Sequence, residues 1–145
     1  MRLWHYKLLD SLPTLQFNGQ RRELVAILHD WRDKGTTNHL LINRVMDYPK
    51  SEFVCYFDVY SRYFYIRNGF PIPQKSAEEF HDFDDHVDFD GGLYSDWMND
   101  EYLRVCMANL YEKYKFGKGA SAVSEIEWKK LILKYKEITG TDYIL

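Results

Sequence analysis

The stretch from Glu52 to Asn68 constrains the fold most, because seven of its residues are aromatic. Ser51 precedes it as a possible helix N-cap, and Gly69 with Pro71 follows as a stop signal. We predict that residues 52–68 form a helix at the centre of an aromatic core. Charged side chains interrupt the stretch, which argues against a membrane span. The aromatic residues are Phe53, Tyr56, Phe57, Tyr60, Tyr63, Phe64 and Tyr65.

Helical signals recur in the rest of the chain. In and just after residues 16–28, Phe17, Leu24, Leu28 and Trp31 share one helical face, so we predict a helix that ends near Gly35. Further helices are predicted through about Val45, over about 99–116, and within 121–140, where Ser124 and Glu127 form a capping-box pattern. The sequence therefore predicts one compact all-α domain, residues 1–145, with three to four main helices and an irregular acidic segment at 71–98.

The net charge of −3 hides an uneven distribution. Residues 1–50 contain eight Lys or Arg against five Asp or Glu, and residues 102–145 have the same balance. Residues 75–101 contain one Lys against ten acids. Two mildly basic parts are thus separated by an acidic one, which allows a basic binding face without requiring it.

The cysteine content and the absence of targeting signals indicate a cytoplasmic protein. Cys55 and Cys106 both lie between apolar residues in helical patterns, so buried reduced thiols are favoured over a disulfide. The N-terminus lacks a signal-peptide pattern, and no run of about 18 uncharged apolar residues occurs. We expect no membrane association.

The acidic segment is a weak candidate for a metal site. A calcium-loop frame with Gly91 in its sixth position would place His86 first and Trp97 twelfth, so the required oxygen ligands are missing. His81 and His86 with the neighbouring aspartates remain an alternative metal site. A solvated loop anchored by phenylalanines fits better, and we predict neither a metal nor a cofactor.

Two groups of residues are candidates for binding. His39 and Asn43 lie four positions apart, beside Arg44, and could contact phosphates or a base edge together. Arg22 and Glu23 either form an ordinary ion pair on a solvated helix face or belong to a site. Composition alone favours the ion pair.

The start MRLWH, followed by FNGQRREL, resembles the pyrimidine-dimer DNA glycosylase family, the endonuclease V-like proteins of phage and bacteria. More closely, it looks like an uncharacterised bacterial branch that begins Met-Arg-Leu/Ile-Trp and carries Gly-Gln-His-Arg-Glu. Arg21 stands where that branch usually has His. The resemblance covers residues 1–26 and extends less closely over residues 39–69.

The resemblance implies an enzyme that is both a glycosylase and an abasic-site lyase on damaged or abasic double-stranded DNA. The α-amine of the chain would attack C1′, expel the base, form a Schiff base and break the strand by β-elimination. The implied catalytic residues are Met1, Arg22 and Glu23. The residues expected to contact DNA are Arg2, Gln16, Gln20, Arg21, His39, Asn43 and Arg44.

The chain departs from the phage pattern in its nucleophile and in two neighbouring positions. The phage enzymes lose Met1 and use a threonine amine, whereas a methionine before Arg2 is normally retained, so Met1 would supply the amine. Gln16 and Ala26 stand where the phage pattern has His and Arg.

The rival hypothesis is a non-catalytic helical module that binds nucleic acid or protein, with the acidic segment as a partner surface. Catalysis requires the Met1 amine to lie beside Glu23.

Overall fold

A computed structural model of the protein describes residues 2–36, 40–84 and 92–145. No strand occurs within these ranges, which confirms the all-α prediction. Five of the helices have ten or more residues, so the expected three to four main helices is one too few. The helices are α1 (Thr14–Lys34), α2 (Leu40–Asn43), α3 (Lys50–Asn68), α4 (Gln74–Phe83), α5 (Asp100–Phe116) and α6 (Glu125–Thr139), with 3-10 turns at Tyr6–Leu8, Arg44–Asp47 and Gly119–Ser121.

Helix α3 lies at the centre of the core, as its aromatic content predicts. Tyr56 and Tyr60 have no exposed surface. The ring of Phe57 stacks on Phe80 of α4 with a centroid distance of 3.8 Å, and Tyr60 stacks on Phe17 of α1 at 4.6 Å. Stacked aromatic pairs add to the free energy gained from burial, so these contacts help α3 to hold α1 and α4 in place.

The prediction that residues 71–98 are irregular is wrong for residues 74–83, which form α4. Ala77, Phe80 and Phe83 follow helical spacing and pack on the core, but the alternation of Phe with acids obscured that periodicity. Residues 85–91, with His86 and the calcium-loop frame, lie outside the described residues. Among the described residues, no group of three His, Cys, Asp or Glu side chains is placed to hold a metal ion.

The helix boundaries agree with the predicted capping signals for α6 and differ from them for α3. Ser124 Oγ accepts a hydrogen bond from Glu127 N, and Glu127 Oε1 accepts one from Ser124 N, so the capping box is confirmed. Ser51 does not cap α3, because the helix begins at Lys50, two residues earlier than predicted and directly after Pro49. Proline has a φ suited to a helix start and no N–H to satisfy.

Cys55 and Cys106 are both buried and are thiols rather than halves of a disulfide, as predicted. In the described part of the chain, no helix has the length and apolar content needed to cross a membrane.

Candidate active site

The N-terminal segment, residues 2–4, lies beside α1 and is bound by two of its side chains. Gln20 Oε1 accepts a hydrogen bond from Trp4 N at 2.8 Å, and Gln20 Nε2 donates to the Arg2 carbonyl at 2.9 Å. Glu23 Oε2 accepts a hydrogen bond from Arg2 N at 3.2 Å. Both backbone polar groups of Arg2 are therefore bonded to α1.

Two tyrosines bind the same segment from the other helices. The Tyr102 hydroxyl of α5 donates to the Leu3 carbonyl, and the Tyr56 hydroxyl of α3 donates to the Trp4 carbonyl, each at 2.6 Å. Burial raises the pKa of both hydroxyls, so they stay protonated and able to donate. Three successive carbonyls thus have side-chain donors, which fixes the segment without a neighbouring strand.

His5 continues this anchored segment into the interior. Its side chain is 1% exposed, and Nδ1 accepts a hydrogen bond from Lys7 N at 3.2 Å. Burial lowers the pKa of His5 from 6.5 to about 4, so the ring is neutral at pH 7. His5 is therefore a packing residue.

An open cavity of about 390 Å³ lies between α1, the N-terminal segment and the C-terminal half of the chain. Arg2, Arg22 and Lys113 place three cationic side chains on its wall, and Glu23 is the one carboxylate among its described lining residues. Such a wall attracts a polyanion while keeping a single carboxylate inside the site. The other lining residues are Trp4, Leu15, Gln16, Gly19, Asn109, Ala120 and Ser121.

Gln16 joins α1 to the C-terminal half at the edge of this cavity. Its side chain is 8% exposed, and Nε2 donates to the Ser121 carbonyl at 3.0 Å. The structure therefore brings Arg2, Gln16, Arg22 and Glu23 together, four of the residues that the sequence singled out. Contact of Gln16 with DNA stays a prediction.

Gln20 requires a correction. It was expected to contact DNA, but its side chain has no exposed surface. Its amide is occupied by Arg2, Trp4, Glu23 and Tyr56. An amide offers two donor hydrogens and one acceptor oxygen, and all of them are used within the protein.

Arg21 lies on the other side of α1 from Glu23. It lines a second cavity of about 550 Å³, where its guanidinium carbon is 5.8 Å from the centre of the Phe64 ring. Arg22 lines both cavities. The two adjacent arginines therefore face different clefts, with only Arg22 beside the carboxylate.

The predicted group of His39, Asn43 and Arg44 is only partly described. Asn43 Oδ1 accepts a hydrogen bond from Thr36 Oγ1 at 3.2 Å. The Arg44 guanidinium lies over the Trp97 ring at 5.2 Å and lines a third cavity of about 260 Å³ that Arg2 also borders. His39 and Met1 lie outside the described residues.

Sequence reasoning missed the contribution of the C-terminal half to the main cavity. Asn109 and Lys113 come from α5, and Ser121 from the 3-10 turn that follows it. Lys113 is half-buried in the structure. In the sequence it cannot be distinguished from an ordinary exposed lysine near the end of a helix. Only the packing of α5 and its turn against α1 brings these residues to Glu23.

Comparison with protein families finds a match over the first part of the chain. Residues 1–62 match the family model described as pyrimidine dimer DNA glycosylase, which confirms the resemblance noted from the opening residues. The match contains Arg2, Gln20 and Glu23 but ends within α3. No curated protein and no solved structure matches the chain significantly.

Proposed function

We propose that the protein is a DNA glycosylase and abasic-site lyase that uses the α-amine of Met1 as its nucleophile and Glu23 as its catalytic carboxylate. The observation that carries this proposal is the hydrogen bond from Arg2 N to Glu23 Oε2 at 3.2 Å. It supports a role for Glu23 at the amino terminus of the chain, in a cavity whose wall is otherwise cationic.

Covalent geometry limits how far the nucleophile can lie from Glu23. An α-amine nitrogen is joined to the next backbone nitrogen by three bonds of about 1.3–1.5 Å each. Since Arg2 N lies 3.2 Å from Glu23 Oε2, the α-amine of the preceding residue lies within about 8 Å of that oxygen in any conformation. That range includes direct contact between the amine and the carboxylate.

An α-amine suits this chemistry without special tuning. Its ordinary pKa of about 7.7–8.0 leaves a substantial neutral fraction at physiological pH, in contrast to lysine at about 10.4. The neutral amine nitrogen attacks C1′, and the base leaves with its bonding electrons and takes up a proton. The nitrogen then gives up a proton and forms the C1′=N bond while the C1′–O4′ bond breaks and O4′ takes up a proton, so that the sugar ring opens and reprotonation of the nitrogen gives the iminium. A carboxylate at the position of Glu23 stabilises the developing positive charge and transfers protons during β-elimination, when the C2′ proton is lost and the C3′–O bond breaks.

The cationic wall supplies the contacts to the DNA backbone. Arg22 on α1 and Lys113 on α5 lie on the lining of the same cavity as Glu23. We propose that they bind the phosphates on either side of the reacting sugar, together with Arg2 on the lining of the same cavity. Arg21 and Arg44 remain proposed contacts to more distant phosphates, because they line other cavities.

The test is to trap the Schiff base. The protein is incubated with a duplex that contains one abasic site, and borohydride is added to reduce the iminium to a stable amine linkage. We expect a covalent adduct with the wild-type protein. We expect at least about a hundredfold slower trapping with Glu23→Gln, because loss of a preorganised charge in an active site costs about 3–4 kcal/mol. Glu112→Gln, an exposed carboxylate on α5, serves as the matched control and should trap like wild type.

A wild-type protein that binds duplex DNA in a salt-dependent manner but yields no adduct would refute the catalytic proposal. That result would favour the non-catalytic DNA-binding module instead. Ultraviolet-irradiated duplex as a second substrate separates the glycosylase step from the lyase step, because only the former requires expulsion of a base.

A further inference from the structure

We infer that Gln20 is a positioning residue that aligns the amino-terminal nucleophile with Glu23, an inference that rests on the proposed function. One side-chain amide contacts both the Glu23 carboxylate and the backbone that follows the proposed nucleophile. It bonds to the backbone on either side of Leu3 through Arg2 and Trp4, and its Nε2 lies 3.2 Å from Glu23 Oε2.

The geometry of these contacts explains why an amide is used. The donor Nε2 serves the Arg2 carbonyl and the Glu23 carboxylate, while the acceptor Oε1 takes the N–H of Trp4. The Tyr56 hydroxyl, whose single proton goes to the Trp4 carbonyl at 2.6 Å, lies 3.1 Å from Oε1. An amide combines two N–H donors with a carbonyl acceptor that can take two bonds. Glutamate would lose both donors, and methionine would lose all of these bonds while keeping a similar volume.

Burial makes the arrangement rigid. Gln20 and Tyr56 both have no exposed surface, so water cannot replace a lost partner without rearrangement. Buried polar networks in which every group is satisfied favour one conformation, because each alternative leaves an unpaired donor or acceptor. Glu23 Oε2 accepts from Arg2 N and from Gln20 Nε2, both at 3.2 Å, so the carboxylate and the backbone that carries the amine are held in one frame.

The position of Gln20 on α1 links it to Glu23 directly. The two residues lie three apart, which places their side chains next to each other on one helix face. A shift of either the segment or the carboxylate by about 1 Å would move the reacting groups out of alignment, and such shifts cost about a hundredfold in rate. The pairing of Gln20 with Glu23 thus turns a helix-surface carboxylate into one aligned with the amino terminus.

The experiment measures the rate of borohydride trapping with an abasic duplex at saturating DNA, as a function of pH. Gln20→Met should trap about 10–100-fold more slowly than wild type. Tyr60→Phe is the matched control, since it removes another buried hydrogen bond, from the Tyr60 hydroxyl to the Phe17 carbonyl at 2.7 Å, away from the cavity. The trapping rate of Tyr60→Phe should stay within about twofold of wild type, although the free energy of unfolding of this variant should fall by about 1 kcal/mol.

Gln20→Glu gives a readout that a purely structural role would not change. A second carboxylate beside the segment stabilises the protonated α-amine, so the rising limb of the trapping rate should move to higher pH by about one unit. Tyr60→Phe should leave the limb in place. This variant also decides the question if Gln20→Met does not fold.

Two results would overturn the inference: Gln20→Met traps as fast as Tyr60→Phe, or the rising limb of the Gln20→Glu rate lies at the same pH as in wild type. In either case a wild-type adduct leaves the proposed function standing. If wild type gives no adduct, the proposed function fails. The inference is then tested on the α-amine itself, which is ¹³C-methylated so that the pH at which it titrates can be measured by NMR. An α-amine that titrates at the same pH in wild type and Gln20→Glu would refute the alignment.

Discussion

The buried His5 predicts a specific loss of stability in acid. His5 lies directly after the segment that carries the site, and it is 1% exposed. Its pKa is lowered from 6.5 to about 4 because burial penalises the charged ring. Below pH 6.5 the unfolded chain binds a proton at His5 that the folded protein does not bind until about pH 4. The contribution of the neutral His5 to stability is therefore fully present above pH 6.5 and is lost as the pH falls toward 4.

The magnitude follows from the two pKa values. Each pKa unit is worth about 1.4 kcal/mol, so the change from 6.5 to about 4 corresponds to about 3 kcal/mol of unfolding free energy. Carboxylates also titrate in this range, so the comparison must be with a variant. His5→Gln cannot bind the proton, and the advantage of wild type over this variant should shrink by about 3 kcal/mol between pH 7.5 and pH 4.

The assay is urea unfolding followed by tryptophan fluorescence at several pH values between 7.5 and 4, with wild type and His5→Gln measured in parallel. Tyr60→Phe is a suitable control, because burial raises the pKa of that hydroxyl and it does not titrate in this range. A difference between wild type and His5→Gln that stays constant across the pH range would refute the assignment of His5 as a buried neutral ring.

Three further predictions concern the cavity and the helices that form it. Lys113→Gln should weaken binding to duplex DNA and reduce the slope of log affinity against log salt by about one, as measured by fluorescence anisotropy, whereas Lys129→Gln on the exposed face of α6, where Lys129 pairs with Glu125, should leave the slope unchanged. Ser124→Ala removes the capping box and should cost about 1 kcal/mol in urea unfolding; an unchanged midpoint would contradict this. Gly19→Ala should stabilise α1 by about 0.5–1 kcal/mol, because the added Cβ would meet Arg22 Nη2 at an ordinary 3.7 Å; a lower melting temperature would show that the site does not tolerate it.

The helices follow from local signals in most of the chain. The aromatic stretch of α3 and the capping box of α6 were readable because periodicity and capping depend on neighbouring residues. Helix α4 was missed because its apolar spacing is mixed with acids, and its burial depends on the stacking of Phe80 against Phe57 from another helix. Tertiary packing decided that element.

The candidate site was predictable only in part. Arg22 and Glu23 were found because their motif resembles a known family, and the structure brings Glu23 to Arg2. Gln20 was assigned to the wrong surface, since a glutamine on a polar helix stripe gives no sign that a distant segment will cover it. Lys113 was missed because a contact across more than 80 positions of chain leaves no periodic trace.

Identification of the nucleophile tests the central claim most directly. The adduct formed with an abasic duplex is reduced, digested with nuclease and protease, and analysed by tandem mass spectrometry. We predict that the sugar remnant is attached to the α-nitrogen of Met1, and that chemical blocking of this amine abolishes the adduct. Attachment to Lys113, the lysine that lines the cavity with Glu23, or no attachment at all would contradict the proposal.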